Sequence, residues 1–346
     1  MFQFQDANQP LIVDGLPRYG HFDDALRHLG RDGFVLRNAF GEARNSLSRW
    51  IGNKDFQYLG GMSDTLIFGC ALAHLRYLAV AFVYVYDVKT RQLWSRSWRS
   101  PLGLGFTLAD NPRDGESRFH LPGLVDIRMV YRDHPREKTL LIRCKELNLE
   151  ARLDERDFQP MSICTRTGYS GFTYACKVAG QPLYGFLNWQ GREYDLGSIR
   201  AYGHHDYSCG YMRRETWWNW ACFSGEIREG ARQGQRVGLN VSAGVNETGY
   251  SENCFWLDGR LVPLHFTRFD FDPANPLEPW TVLADNETLR LTFHPMGMHR
   301  EAIRAGLVTS HFRQIFGEFQ GCMLVDGEEI SLNGLTGFVE DQYIKW

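Results

Sequence analysis

Between His204 and Gly225 the chain reads HHDYSCGYMRRETWWNWACFSG, which sets two histidines, an aspartate, two tyrosines, three tryptophans, an asparagine and an Arg-Arg pair within 22 residues. Apolar walls with a few placed polar groups are what a concave small-molecule site requires. Asp206 is the candidate acid: inside an aromatic cavity desolvation would raise its pKa until it could donate a proton near neutral pH. His205 is the second candidate catalytic group. Successive side chains of an extended segment point to opposite faces, so His205 and Asp206 would not act on each other directly. If Thr216 to Ser224 is a strand, Trp218, Trp220 and Cys222 share one face, and Trp217, Asn219, Ala221 and Phe223 share the other. Tyr207, Trp218, Asn219 and Trp220 are therefore candidate ligand contacts. The competing readings are tryptophans that merely pack a core and an aspartate that caps a turn. Metal ligation by His204, His205 and Asp206 is disfavoured, because adjacent residues rarely present a usable ligand geometry.

A second constellation, LNVSAGVNETGYSENCFWLDGR, carries Asn240, Asn246, Glu247 and Asn253. Asparagines in such loops commonly make turns. Asn253, at the entrance to a strand, is better placed to hold a ligand or order a neighbour, and Asn240 joins it as a candidate contact. In the closing GFVEDQYIKW, Glu340 and Asp341 lie between Phe338 and Trp346. The aromatic residues argue that this end is docked on the body, which makes Glu340 a further candidate contact. Lys177, a lone cation in the apolar run FTYACKVAG, is expected to snorkel to the surface.

The elements that must position these groups have a period of two. LNLEARLDE places Leu147, Leu149, Ala151 and Leu153 opposite Asn148, Glu150, Arg152 and Asp154, and TLRLTFH opposes Leu289, Leu291 and Phe293 to Arg290, Thr292 and His294. Both read as half-buried strands. The Asp-Gly pairs at Asp258 and Asp326 sit between apolar runs and predict two-residue hairpin turns. Short helices are expected over Phe22–Leu29 and Glu42–Trp50, with a weaker one over His299–Ala305, and excursion loops over Leu108–Leu124 and Asp154–Pro160. Without βαβ alternation the fold class is all-β: two lipocalin-like antiparallel β-barrel or sandwich domains with few short helices. The expected division is residues 1–180 and 181–346, the second carrying the Asp and Trp-Asn-Trp segment.

A 346-residue chain with 43% hydrophobic and 23% charged residues can bury a sizeable core. A net charge of −3, with no basic run interleaved with aromatics, offers no case for nucleic acid. The longest apolar run falls far below the ~20 residues of a membrane helix. The N-terminus has no leader-like pattern and the eight dispersed cysteines form no CxxC pair, so the expectation is a cytoplasmic protein with free thiols. No Gly-x-Ser-x-Gly elbow, Walker loop, HExxH or dinucleotide fingerprint is present, and neither cofactor nor metal is expected.

The runs DYSCGYMRRETWWNWACFSG, GLNVSAGVNETGYSENCFWLDGRLVPL and FGEFQGCMLVDGEEI, with the terminal GFVEDQYIKW, resemble the family known as domain of unknown function 2804. WIGNKDFQYLGGMSDTLIFGCALAHLRYLAVAFVYVYD extends the resemblance into the N-terminal half. More remotely the chain resembles the lipocalin-like group of bacterial carotenoid hydratases and fungal pericyclases. That resemblance implies two β domains with an apolar cavity, in which a carboxylic acid protonates an isoprenoid double bond and aromatic faces stabilise the cation before water adds. Asp206 matches the family's Asp-aromatic position, and Trp218, Asn219 and Trp220 match its Trp-Asn-Trp run. The chain departs from the family at Arg213, Arg214 and Glu215, where a variable Pro-Tyr type stretch is usual, and this bears on the polarity of the cavity mouth.

Three functions follow as expectations. The first is cofactor-independent acid–base chemistry on an apolar small molecule of the lipid or isoprenoid class, by hydration, isomerisation or cyclisation. The second is a lipocalin-like carrier or sensor of such a ligand. The third is a carbohydrate-active protein, for which no glycosidase-type carboxylate pair can be assigned.

Overall fold

The computed structural model describes residues 3–244, 248–305 and 308–346. Asn246 and Glu247, named above as part of the Asn-rich loop, lie outside the described residues. The architecture is two domains of β-sheet, a near-closed barrel followed by a half-barrel. The strands that build the site are β1 (Lys54–Met62), β2 (Leu66–His74), β3 (Leu78–Asp87), β4 (Leu93–Pro101), β5 (Gly171–Trp189) and β6 (Tyr202–Gly210) of the first sheet. The second sheet contributes β7 (Glu215–Glu226), β8 (Arg236–Ala243), β9 (Cys254–Leu257), β10 (Leu289–Ala305), β11 (Val308–Val325) and β12 (Leu335–Lys345). The first sheet runs β4-β3-β2-β1-β6-β5 and continues through Leu147–Asp154 and the strands before it. The second runs β9-β8-β7-β12-β11-β10 and beyond.

Alternation decides which core each residue joins. Leu147, Leu149, Ala151 and Leu153 are buried in the barrel interior while their neighbours face out. β1 and β6 differ, because both of their faces are covered: every residue of β6 is buried. Leu59 and Tyr207 enter the barrel core, whereas Tyr58 and Met62 join a second core shared with the half-barrel. The outer face of the barrel is thus roofed by the second sheet. The two sheets come into close contact at Gly180 and Gly238, where a Cβ on Gly238 would lie 2.1 Å from the Ala179 carbonyl oxygen.

The expected hairpins form. Asp258 and Gly259 have φ of 49° and 87°, Asp326 and Gly327 have 51° and 85°, and each pair joins two antiparallel strands. Positive φ at both central residues is the requirement of a type I′ turn. The chain changes sheet between Gly210 and Glu215, and residue 180 falls inside the 19-residue β5 at its bulge. Other expectations need correction. Phe22–Leu29 is not helical: Phe22 ends a short strand, and the Leu26 amide bonds the Tyr174 hydroxyl instead of a preceding carbonyl. The second helix, α1 (Ser46–Gly52), starts later than Glu42 because Asn45 caps it, accepting from the Ser48 amide at 2.8 Å. His299–Ala305 continues β10, paired residue by residue with β11. Leu108–Leu124 contains a strand, Gly115–Leu121, anchored by buried Phe119. No described helix is long and apolar enough to cross a membrane.

Candidate functional site

Hydrogen-bonded registers place side chains in rows across each sheet. In the first sheet Lys177 of β5, Asp206 of β6, Tyr58 of β1, Ala71 of β2 and Phe82 of β3 form one row on the outward face. In the second sheet Ser242 of β8, Trp220 of β7, Glu340 of β12, Gln314 of β11 and His299 of β10 form another. Lys177, Asp206, Tyr58, Ala71 and Phe82 of the first row face Ser242, Trp220 and Glu340 of the second across a cavity with about 180 Å³ open to the centres of water-sized groups. That is room for roughly a dozen such groups.

The floor of the cavity holds three carboxyl groups and one ammonium. Lys177 Nζ lies 2.6 Å from Glu252 Oε1 and 3.3 Å from Asp206 Oδ2. Burial opposes the charged form of Lys177, but the two carboxylates outweigh it and hold the lysine above its ordinary range. Asp206 Oδ1 also accepts from Ser208 Oγ at 2.7 Å. Burial, with the Glu252 carboxylate, holds the Asp206 carboxyl above its ordinary range, and Lys177 and Ser208 offset this only in part. Across the gap, Glu340 Oε2 accepts from Trp218 Nε1 at 3.3 Å, and Oε1 accepts from Gln314 Nε2 at 2.7 Å. Neutral donors compensate burial only in part, so Glu340 is pushed up to about 8. The floor carboxyls thus differ: Glu340 keeps its proton at neutral pH, whereas Asp206 and Glu252 lie beside a cation.

Above the floor the walls turn apolar, with Ala73, Val80 and Phe56 on one side and Phe312, Ile303 and Ile344 on the other. Met212, Arg213 and Trp346 close the mouth. Trp346 Nε1 donates to the Arg213 carbonyl at 2.8 Å, so the C-terminus is docked at the rim. Among the described residues no group of three or more His, Cys, Asp or Glu side chains is placed to hold a metal ion.

Residues 28–346 match the family described as Domain of unknown function (DUF2804). The chain belongs to this DUF2804 family. Its fold is similar to the crystal structure of kievitone hydratase from Nectria haematococca, at 9% identity and a TM-score of 0.50, over 83% of this chain and 88% of that one. A candidate AttH protein from Nitrosomonas europaea is also similar, at 14% identity and a TM-score of 0.49, over 89% of this chain and 99% of that one. Among curated proteins no relative matches the sequence.

In this DUF2804 chain the sequence candidates divide. Asp206, Trp218, Trp220 and Glu340 line one cavity. His205 and Tyr207 do not: as the odd residues of β6 they enter the barrel core, where His205 Nε2 pairs with the Tyr131 hydroxyl at 3.1 Å and the Tyr207 hydroxyl donates to the Ala109 carbonyl. Three asparagines frame the site instead of lining it. Asn240 Oδ1 accepts from Trp220 Nε1 at 2.8 Å and its Nδ2 donates to the Glu252 carbonyl, fixing the indole beside the Glu252 backbone. Asn253 ties the Ser242 amide to Thr267. Asn219 donates to the Glu340 carbonyl at 3.3 Å. Lys177 does not snorkel: it is 5% exposed, with its ammonium 4.8 Å from the Trp220 ring centroid. Lys177 and Glu252 are two floor residues that periodicity and motifs do not point to. A signal was present, since a lysine inside a fully apolar strand requires a buried counter-charge.

Proposed function

We propose that this protein binds an apolar small molecule, of the lipid or isoprenoid class, between its two sheets and moves protons on it by hydration, isomerisation or cyclisation. The observation that carries the proposal is the pairing of a neutral carboxyl, Glu340, with an ion-paired one, Asp206, on opposite sides of one cavity floor. Environments that separate two carboxyls in this way assign an acid and a base. Glu340 gives its proton to a carbon of the bound molecule. Asp206, oriented by Ser208 and Lys177, accepts a proton from water or from a neighbouring carbon. Trp218, held by its bond to Glu340, offers an aromatic face to positive charge that develops next to the donor. A hydratase with this fold, kievitone hydratase, supports the reading at the level of architecture. Glu340→Gln and Asp206→Asn are the test. Each should retain ligand affinity and lose at least a hundredfold in turnover, consistent with the ~10²–10⁴ that a positioned acid or base contributes. A double variant as active as the wild type would contradict the proposal. Ligand that is bound and always released unchanged would establish a carrier instead.

A further inference from the structure

At the mouth of the cavity, away from the carboxylates of the floor, the charge reverses. Lys54 lies on the same face of β1 as Phe56 and Tyr58 and lines the cavity. It lies four positions along the strand from the Tyr58–Asp206 row, about 13 Å along the sheet. The side chain is only 5% exposed, and its ammonium donates to the main-chain carbonyls of Ile51 and Leu75. Those are two neutral acceptors for a group with three N–H donors and a full charge.

The adjacent carboxylate favours the Lys54 cation through space but makes no ion pair with it. Asp55 is committed on both oxygens, Oδ1 to Arg31 and Oδ2 to Arg76. Lys54 is therefore a buried cation hydrogen-bonded to carbonyls, and burial, with the nearby Arg76 charge, pulls it down to about 8. Two more cations flank the opening: Arg213 lines it, and Arg214 lies close enough to Tyr77, the ring beneath Lys54, to act on its hydroxyl. Of the other acids, Glu215 is taken up by Tyr343 and Lys345, and Glu301, which lines the cavity wall, accepts from the Ser97 hydroxyl.

We propose that Lys54, with Arg213, is an anion-binding subsite, and that the ligand is an amphiphile with an apolar body in the cavity and a carboxylate or phosphate head at its mouth. The proposal rests on the apolar-ligand reading above and narrows its substrate class. An anionic head completes the coordination of Lys54, and the distance to Asp206 suits a chain whose reacting carbon lies well away from the head.

Tryptophan fluorescence titration with decanoate, decyl phosphate and decanol tests it, because Trp218, Trp220 and Trp346 all line the cavity. One or both anions should bind at least tenfold tighter than decanol, and the tighter of the two identifies the head group. Lys54→Met should bring the anions to the level of decanol, and Arg213→Ala, at an exposed position, should weaken the anions alone. Decanol binding as tightly as both anions would overturn the subsite while leaving the cavity reading intact. If none of the three probes binds, the cavity reading falls and this inference falls with it. Circular dichroism of each variant separates lost binding from lost folding.

Discussion

Lys177 Nζ stands 4.8 Å from the ring centroid of Trp220, so one face of that indole is already covered by a cation. The ring is fixed from its edges as well, by Asn240 on Nε1 and by the T-shaped contacts of Tyr58 and Phe338. Trp220 is thus part of the machinery that holds Lys177. In the proposed reaction a positive charge in the cavity would be left to Trp218, whose Nε1 points at Glu340.

Lys177 is the counter-charge of two buried carboxylates, and its removal leaves both uncompensated. Lys177→Met should cost about 3–5 kcal/mol, the range for breaking a buried pair from one side. Urea denaturation measures this. Lys177→Met combined with Glu252→Gln should recover part of the loss, and a single variant as stable as the wild type would show that the pair carries no such strain.

Burial raises the Glu340 carboxyl to about 8, against 4.5 for an unburied glutamate. The folded state keeps this proton after the unfolded chain has lost it, so stability falls as pH rises between those values. His204 and His299, held neutral by burial down to about 3 and about 4, act in the opposite sense, but only below the 6.5 of an ordinary histidine. Between pH 6.5 and 8 the wild type should therefore lose about 1 kcal/mol per unit relative to Glu340→Gln, the slope flattening towards pH 8. Thermal melts of the two proteins across that interval give the difference directly.

Trp218→Phe keeps an aromatic wall and deletes one donor to Glu340. The indole bond favours the ionised carboxylate, so its loss should push the Glu340 pKa further upward. Carbon-13 NMR of labelled glutamate side chains would follow the titration. A downward movement would contradict the hydrogen-bond assignment.

Gly238→Val tests the junction of the sheets. Its Cβ would sit 2.1 Å from the Ala179 carbonyl oxygen, on backbone that cannot yield without separating the domains. A loss of about 1–3 kcal/mol or more is expected from such overpacking, measurable as a lowered Tm.

The β architecture was legible because strands with one wet face announce themselves by alternation, as Leu147–Asp154 does, and because Asp258-Gly259 and Asp326-Gly327 require their turns. The floor was only partly legible. β6 is buried on both faces, so its sequence does not show that Asp206 faces one core while His205 and Tyr207 face the other. Periodicity likewise sorted Trp218 and Trp220 from Trp217 and Asn219 without showing which set is inside. The change of sheet at 211–214 is hidden because β5 runs unbroken through residue 180. Lys177 and Glu252 lie 75 positions apart in sequence, and only the fold brings them together.

The most direct test of proton transfer does not require an identified substrate. The protein is incubated in D₂O with a total lipid extract, and the extract is surveyed by high-resolution mass spectrometry for deuterium fixed on carbon. The wild type should label at least one apolar molecule, and Glu340→Gln should label none. If native mass spectrometry finds a lipid held by the wild type and that lipid carries no carbon-bound deuterium, the acid–base claim is contradicted.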